Sequence, residues 1–267
     1  MIEMGTILTD DGIELAWRSD GDPALPPLLL ANSLGTTMAM WEPQLPVWTA
    51  THRVIRYDMC GHGASGVRPT GFGIDRLGRD ALAILDQFAI ARAPFVGLSL
   101  GGMVGQWLGF AAPGRIARLV LANTSAHMPP PDAWDNRIAM VRAQGLAGIA
   151  PAVIDRWFTP GFRAASPIPD TIAALMTAGS PDGYAAACAA IRDMDFRDTV
   201  GTITAATLVI GGTEDPATPP SHSEYLAQQI TSSALTWLDA SHLSNVERPT
   251  EFANLVADFL RASGPSV

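Results

Sequence analysis

The sequence predicts an α/β fold, with a mainly parallel sheet flanked by helices and a helical lid inserted into the core. Short, continuous apolar runs such as 27–31 and 206–210 are typical of strands that are buried on both faces of a sheet. Segments with helical spacing lie between these runs, and this alternation implies right-handed crossovers between parallel strands. The stretch 125–196 is rich in Ala, Pro and Met and shows no convincing strand pattern, so we predict that it forms several short helices.

The predicted elements follow one another in the order that such a sheet requires. The first strand alternates between apolar and polar residues, whereas the later strands are apolar runs and helical periodicity marks the segments between them. In chain order we predict strands at 13–17, 27–31 and 52–57, a helix at 77–88, a strand at 95–96, a helix at 102–110, strands at 118–122, 206–210 and 235–238, and a closing helix at 249–260. The core therefore comprises residues 1–124 and 197–267, and the lid comprises residues 125–196.

The composition excludes several classes of function. Of the 267 residues, 48% are hydrophobic and 16% are charged, which is typical of a folded globular protein. A net charge of −9 repels nucleic acid and anionic membranes, so we expect neither as a partner. All 17 basic residues are arginines, which excludes a lysine Schiff base and a P-loop lysine.

The cysteines and the amino terminus favour a cytoplasmic protein. Cys60 and Cys188 are far apart in the chain and match no metal-binding pattern. The first residues include an acid and lack both a basic region and a long apolar stretch, so no signal peptide is expected. The apolar run 28–31 is far too short to span a bilayer. We therefore expect a soluble, cytoplasmic chain; the sequence does not predict its oligomeric state.

One motif points to nucleophilic chemistry. Between the strand at 95–96 and the helix at 102–110 the sequence is Gly97-Leu98-Ser99-Leu100-Gly101, which matches the G-x-S-x-G nucleophile elbow. The serine of an elbow lies on a sharp strand-to-helix turn, and the small residues two positions away let that turn close. We predict that Ser99 is the nucleophile of an α/β-hydrolase fold.

A serine nucleophile needs a base, and the base needs a group that orients it. In this fold the acid and then the histidine follow late strands. Asp215 lies in the loop after the strand at 206–210, with Glu214 as its nearest rival. His242 lies in the loop after the strand at 235–238. We predict a catalytic triad of Ser99, Asp215 and His242.

The oxyanion hole requires two backbone N–H groups. Leu100 supplies one by its position after the nucleophile, at the start of a helix whose dipole favours negative charge. The other should come from the loop Asn32-Ser33-Leu34-Gly35, in which Leu34 has the matching position.

The glycine-containing turn at residues 58–63 carries two side chains of reactive types, Cys60 and His62. We expect His62 to stabilise the turn. Cys60 is not expected to be a nucleophile, because it has no evident base.

Several segments together resemble one family, the 3-oxoadipate enol-lactonases, over about residues 13–260. The segments are Asn32-Ser33-Leu34-Gly35-Thr36, Met40-Trp41-Glu42-Pro43-Gln44, Arg56-Tyr57-Asp58, Gly61-His62-Gly63-Ala64-Ser65, the elbow through Gly102-Met103, Gly105-Gln106-Trp107-Leu108-Gly109, Leu121-Ala122-Asn123-Thr124, and Trp134 with Arg137-Ile138. The chain departs from the family at Cys60, where arginine is usual, and at Leu100, where methionine is usual. The change at Leu100 leaves the backbone donor intact, whereas the change at Cys60 concerns a turn near the pocket.

The resemblance implies hydrolysis of 3-oxoadipate enol-lactone to 3-oxoadipate through an acyl-enzyme, with no metal or cofactor. The small-molecule substrate carries a carboxylate, which needs a local cation. The lid arginines are Arg137, Arg142, Arg156, Arg163 and Arg192. We favour Arg137 and Trp134 as substrate-binding residues, because two residues three positions apart lie on the same face of a helix. The alternative for each is a purely structural role. Alternative functions are a carboxylesterase, another lactonase or a perhydrolase with the same triad, and a small-molecule receptor that retains the fold.

Overall fold

A computed structural model describes residues 1–262 of the chain, and its centre is an eight-stranded sheet. The strand order is β1-β2-β4-β3-β5-β6-β7-β8; β1 and β2 run antiparallel to their neighbours, and β3 to β8 are parallel. The strands are β1 (Ile2–Leu8), β2 (Glu14–Asp20), β3 (Pro27–Ala31), β4 (Arg53–Tyr57), β5 (Ala93–Leu98), β6 (Ile116–Ala122), β7 (Ala206–Gly212) and β8 (Ser233–Leu238).

Helices cover the sheet and form the insertion. The α-helices are α1 (Leu45–Trp48), α2 (Ile74–Gln87), α3 (Leu100–Ala111), α4 (Pro131–Gln144), α5 (Ala150–Trp157), α6 (Pro160–Ala165), α7 (Ile168–Thr177), α8 (Pro181–Asp193), α9 (Pro220–Gln229), α10 (Ser244–Glu247) and α11 (Pro249–Arg261). Short 3₁₀ helices span Met38–Gln44, Pro113–Arg115, Leu146–Gly148 and Val200–Thr202. Within residues 1–262, no helix has the length and apolar character that a membrane span needs.

The hydrophobic pattern explains why the parallel strands form the core. Leu28, Leu29 and Leu30 of β3 are buried on both faces, as are Val120 and Leu121 of β6. Continuous burial of this kind arises when helices cover both sides of a sheet. Because the strands are parallel, their carboxyl ends lie along one edge, and the loops that follow them can contribute to a single site.

The segment between β6 and β7 is helical, as the sequence predicted. It contains α4 to α8, and its ends approach each other at an isolated antiparallel bridge between His127 and Asp195. Between these ends the described residues form no further strand. We call residues 125–196 the insertion.

Besides the four-residue helices α1 and α10 and the 3₁₀ helices outside the insertion, two elements of the structure were not predicted. The first is β1, an edge strand on which Ile2, Met4 and Leu8 are exposed, so it shows neither a buried run nor a buried face. The second is α9, of which only Ser223 and Leu226 are buried. In both elements the pattern of burial is too weak to mark a strand or a helix.

Candidate active site

The turn between β5 and α3 has the geometry of a nucleophile elbow. Ser99 has φ 58° and ψ −116°, a conformation that a non-glycine residue adopts only under constraint. The constraint comes from close packing: a β-carbon on Gly97 would lie 2.1 Å from the carbonyl oxygen of Gly101. One on Gly101 would lie 2.1 Å from that of Ala31. Glycine is therefore required at both positions for the turn to project Ser99 beyond the sheet.

The structure brings the three predicted polar residues together at the carboxyl edge of the sheet. His242 Nε2 lies 2.9 Å from Ser99 Oγ, and His242 Nδ1 lies 2.9 Å from Asp215 Oδ2. Asp215 and His242 are each only 3% exposed. The carboxylate accepts a hydrogen bond from Nδ1–H, which leaves Nε2 free to accept the proton of the serine hydroxyl.

The Asp215 carboxylate is held by more than the histidine. Its oxygens accept hydrogen bonds from Thr218 Oγ1 at 2.7 Å, Asn123 Nδ2 at 2.9 Å, and the backbone N–H groups of Ala217 and Thr218 at 2.8 and 2.9 Å. Burial acts to raise the pKa of Asp215, but the attraction of His242 and these hydrogen bonds outweigh it, so the pKa lies below its ordinary value. The carboxylate is therefore ionised and fixed in position. The rival acid, Glu214, is exposed to solvent.

Two backbone N–H groups beside Ser99 lack protein acceptors. Among residues 1–262, neither the Leu34 N–H nor the Leu100 N–H donates to a backbone or side-chain group. The loop that carries Leu34 is fixed because Asn32 Oδ1 accepts from Trp41 Nε1 at 3.0 Å and the Asn32 carbonyl accepts from Gly101 N–H at 2.9 Å. Leu100 is the first residue of α3, where the helix dipole adds a partial positive charge. This pair of free donors can bind an oxyanion.

A small pocket of about 40 Å³ connects these groups to the insertion. The residues that line it are Ser33, Leu34, Ser99, Met103, Met128, Trp134, Arg137, Trp157, Tyr184, Ile191, Ala217, Thr218 and His242. Both substrate-binding residues predicted from the sequence, Trp134 and Arg137, are among them. The Arg137 guanidinium lies over the Trp134 ring, 4.9 Å from its centroid, and makes no ion pair with any residue in 1–262.

The other arginines of the insertion lie elsewhere. Arg163 forms a surface ion pair with Asp155, and Arg192 forms surface ion pairs with Asp135 and Asp193. Arg142 and Arg156 are exposed and do not line this pocket. Among these five arginines, Arg137 is the one that lines the pocket containing Ser99.

Comparison with known proteins places this site in a family. The model of the alpha/beta hydrolase family matches residues 28–255. The chain belongs to the alpha/beta hydrolase family. The predicted fold class is thereby confirmed, and the chain is an ester-hydrolysing enzyme.

The similarity to individual hydrolases extends over the whole chain. A 3-oxoadipate enol-lactonase of Acinetobacter baylyi is 40% identical over 93% of this chain and 94% of its own length. The crystal structure of the enol-lactonase from Burkholderia xenovorans superposes with a TM-score of 0.94 at 38% identity, over 97% of this chain and all of that one. A hydrolase from Pseudomonas aeruginosa has a TM-score of 0.94 at 46% identity, over 97% of this chain and 98% of that one. The predicted resemblance to enol-lactonases is therefore confirmed.

In this hydrolase, hydrogen bonds connect the loop that carries His242 to the insertion. The buried Glu247 carboxylate accepts from Ser241 N–H at 3.0 Å and from the hydroxyl and N–H of Thr159, which lies between α5 and α6. Leu243 N–H donates to the Trp157 carbonyl at 3.0 Å. Ser241 Oγ also donates to the Arg156 carbonyl at 2.9 Å, so the residues on either side of His242 both bind the carboxyl end of α5 directly.

Replacing Glu247 with glutamine is expected to lower the free energy of unfolding by about 1–3 kcal/mol. The amide has one acceptor oxygen where the carboxylate has two, and its NH₂ group would face the donors of Ser241 and Thr159. Denaturation in urea measures this change. Glu224→Gln, at an exposed glutamate on α9, is the matched control and should be neutral; equal stability of both variants would contradict the proposed role of Glu247.

Several side chains of the site were not predicted from the sequence. Asn123 and Thr218 hold Asp215, and Tyr184 and Trp157 of the insertion line the pocket. Asn123 carried one signal, since it belongs to a segment that resembles the enol-lactonases. His62 has the expected place within its turn, with Nδ1 at 3.2 Å from the Cys60 carbonyl.

Proposed function

We propose that this hydrolase opens 3-oxoadipate enol-lactone to 3-oxoadipate, a step of aromatic degradation through the β-ketoadipate pathway. The observation that carries the proposal is that Arg137, which makes no ion pair with any residue in 1–262, lines the same pocket as Ser99. Ser99 is itself hydrogen-bonded to His242. This arrangement suits an ester that also bears a carboxylate. The relatives named as enol-lactonases support the same substrate class.

The proposed reaction begins with attack by Ser99 Oγ on the lactone carbonyl while His242 Nε2 takes the hydroxyl proton. Asp215 holds the imidazole and stabilises the positive charge that develops on it. The tetrahedral intermediate collapses by breaking the ring C–O bond, and the ring oxygen leaves as an enol that becomes a ketone. Water, activated by His242, then hydrolyses the acyl-enzyme and regenerates Ser99.

The free N–H groups of Leu34 and Leu100 supply the oxyanion hole in this mechanism. Negative charge develops on the carbonyl oxygen only as the tetrahedral intermediate forms, so these donors stabilise the transition state more than the substrate. Each such donor contributes about 3 kcal/mol in serine hydrolases. Both are backbone groups held by the elbow and by the Asn32 loop, and they need no reorganisation when the charge appears.

The decisive experiment is a comparison of substrates with purified protein. The proposal expects kcat/KM for the enol-lactone to exceed that for p-nitrophenyl acetate, a simple ester of the same triad chemistry. Fast hydrolysis of the simple ester with none of the enol-lactone would instead identify a carboxylesterase. Tight binding of the lactone without turnover would identify a receptor.

Replacing Arg137 with glutamine is expected to raise KM for the carboxylated lactone by about 10- to 150-fold, because a charge-assisted hydrogen bond contributes about 1.5–3 kcal/mol. For p-nitrophenyl acetate, which has no carboxylate, KM should stay unchanged. Steady-state kinetics on both substrates measures the difference. Arg142→Gln, on the same helix but outside the pocket, is the control; equal effects of Arg137→Gln on both substrates would remove Arg137 from the anion site.

A further inference from the structure

Tyr184 on α8 carries a buried hydroxyl whose proton has no acceptor among residues 1–262. The residue is 2% exposed. A buried hydroxyl without a partner costs about 1–3 kcal/mol, so buried hydroxyls in native proteins are almost always satisfied. Tyr184 also lines the pocket that contains Ser99 and His242. The proton of this hydroxyl is therefore available to an acceptor that enters the pocket.

The surroundings fix the Tyr184 ring. A β-carbon on Gly35 would lie 2.9 Å from Cε2 of Tyr184, so the ring packs directly on the loop that carries Leu34. The start of α8 is equally close to the core, because a β-carbon on Gly183 would lie 2.4 Å from the carbonyl oxygen of Gly61. The hydroxyl is therefore held in place before any ligand binds, which reduces the entropy cost of forming its hydrogen bond.

The charge next to Tyr184 is positive. Burial raises the pKa of Tyr184 well above its ordinary value, and the Arg137 guanidinium, through its charge and as a hydrogen-bond donor to the phenolic oxygen, offsets only part of that effect. The same guanidinium acts on Cys188, one turn further along α8, whose pKa burial nonetheless raises to about 12. Tyrosine and cysteine are both neutral at working pH. Tyr184 is thus an O–H donor beside a cation, which is the combination that a carboxylate binds.

We propose that the Tyr184 hydroxyl donates a hydrogen bond to the carboxylate of the substrate, next to Arg137, and so sets a preference for acid-bearing lactones over neutral ones. The inference rests on the proposed function, and it adds a specificity-determining residue that touches the substrate away from the reacting carbonyl. A contact of this kind is equally strong in the ground state and in the transition state, so its loss raises KM and leaves kcat unchanged.

The test compares two lactones that differ only in the acid. α-Angelica lactone has the same enol-lactone ring as the proposed substrate, with a methyl group in place of the carboxymethyl group. Tyr184→Phe keeps the ring and its packing but removes the hydroxyl. We expect KM for 3-oxoadipate enol-lactone to rise by about 10-fold, the lower bound for a hydrogen bond to a charged group. The kinetics with α-angelica lactone should stay unchanged, which also verifies that the variant is folded.

Tyr57→Phe is the matched control. Tyr57 is also fully buried, and within the described residues 1–262 its hydroxyl has no partner, but it does not line the catalytic pocket. This variant should hydrolyse both lactones like the wild type. If Tyr184→Phe changes KM for both lactones equally, or for neither, the carboxylate contact is wrong.

A second measurement separates this inference from the proposed function. The product 3-oxoadipate carries the same carboxylate, so it should competitively inhibit hydrolysis of p-nitrophenyl acetate, with an inhibition constant about 10-fold higher in Tyr184→Phe. If the wild type fails to open the enol-lactone, the proposed function fails while this inhibition still tests Tyr184. An inhibition constant that is the same in both proteins overturns the inference, even when the enol-lactone is hydrolysed.

Discussion

Ser99→Ala is expected to lower kcat/KM for the enol-lactone by about 10⁴- to 10⁶-fold, the range seen when a serine hydrolase loses its nucleophile. Without Oγ there is nothing for His242 Nε2 to deprotonate, and no acyl-enzyme can form. The Leu34 and Leu100 donors and the pocket remain, so affinity for 3-oxoadipate should be retained. Loss of the enol-lactone absorbance measures the rate, and inhibitor binding to the variant measures the affinity.

Covalent labelling tests independently whether Ser99 is the nucleophile. A fluorophosphonate should add once to the wild-type protein, and its adduct should lie on the peptide that contains Ser99. Ser223→Ala is the matched control, since Ser223 is buried like Ser99 but lies on α9, outside the pocket. Labelling of Ser99→Ala, or loss of activity in Ser223→Ala, would contradict the assignment of the nucleophile.

The parts of the fold that sequence reasoning predicted are those that local physics determines. Strands β3 and β7 are continuous apolar runs because both of their faces are covered. The elbow was predicted from its glycines. The neighbouring backbone leaves no room for a β-carbon at Gly97 or Gly101, so a serine on such a turn needs glycine at both positions. Strand β1 was missed because it exists only through its pairing with β2 at the edge of the sheet.

The same distinction applies to the site. Asp215 and His242 could be predicted because their loops follow late strands of a parallel sheet, whose carboxyl ends meet. Tyr184 and Asn123 could not be assigned roles in this way. Tyr184 reaches the pocket only through the packing of α8 against Gly35 and Gly61, and the sequence of the insertion does not determine that packing. Side chains brought in by tertiary contacts require a structure.

Asp215→Asn is expected to lower kcat/KM by about 10⁴-fold while leaving the substrate pocket intact. An asparagine that presents Nδ2 to the imidazole would favour a proton on Nε2 in place of Nδ1. His242 could then no longer accept the proton of Ser99. In that orientation Nδ2 takes the place of Oδ2, so it also faces the donors Asn123 Nδ2 and Thr218 Oγ1, and the variant loses hydrogen bonds as well as charge although the side chains are nearly the same size. Enol-lactone kinetics measures the loss, which should fall on kcat far more than on KM.

Glu214→Gln decides between the two acids of this loop, because the exposed Glu214 touches neither Ser99 nor His242 and its replacement should leave kcat/KM unchanged.

The pH dependence of stability provides a second test of Asp215. Since its pKa in the folded protein lies below the ordinary value of 3.8, the ionised carboxylate stabilises the fold above that pH, and the contribution is lost as the pH falls through the lower, folded value. The stability advantage of the wild type over Asp215→Asn should therefore shrink as the pH falls below about 4, as urea denaturation at a series of pH values would measure. An advantage that stays constant over this range, or a Glu214→Gln variant as inactive as Asp215→Asn, would contradict an ionised Asp215 as the partner of His242.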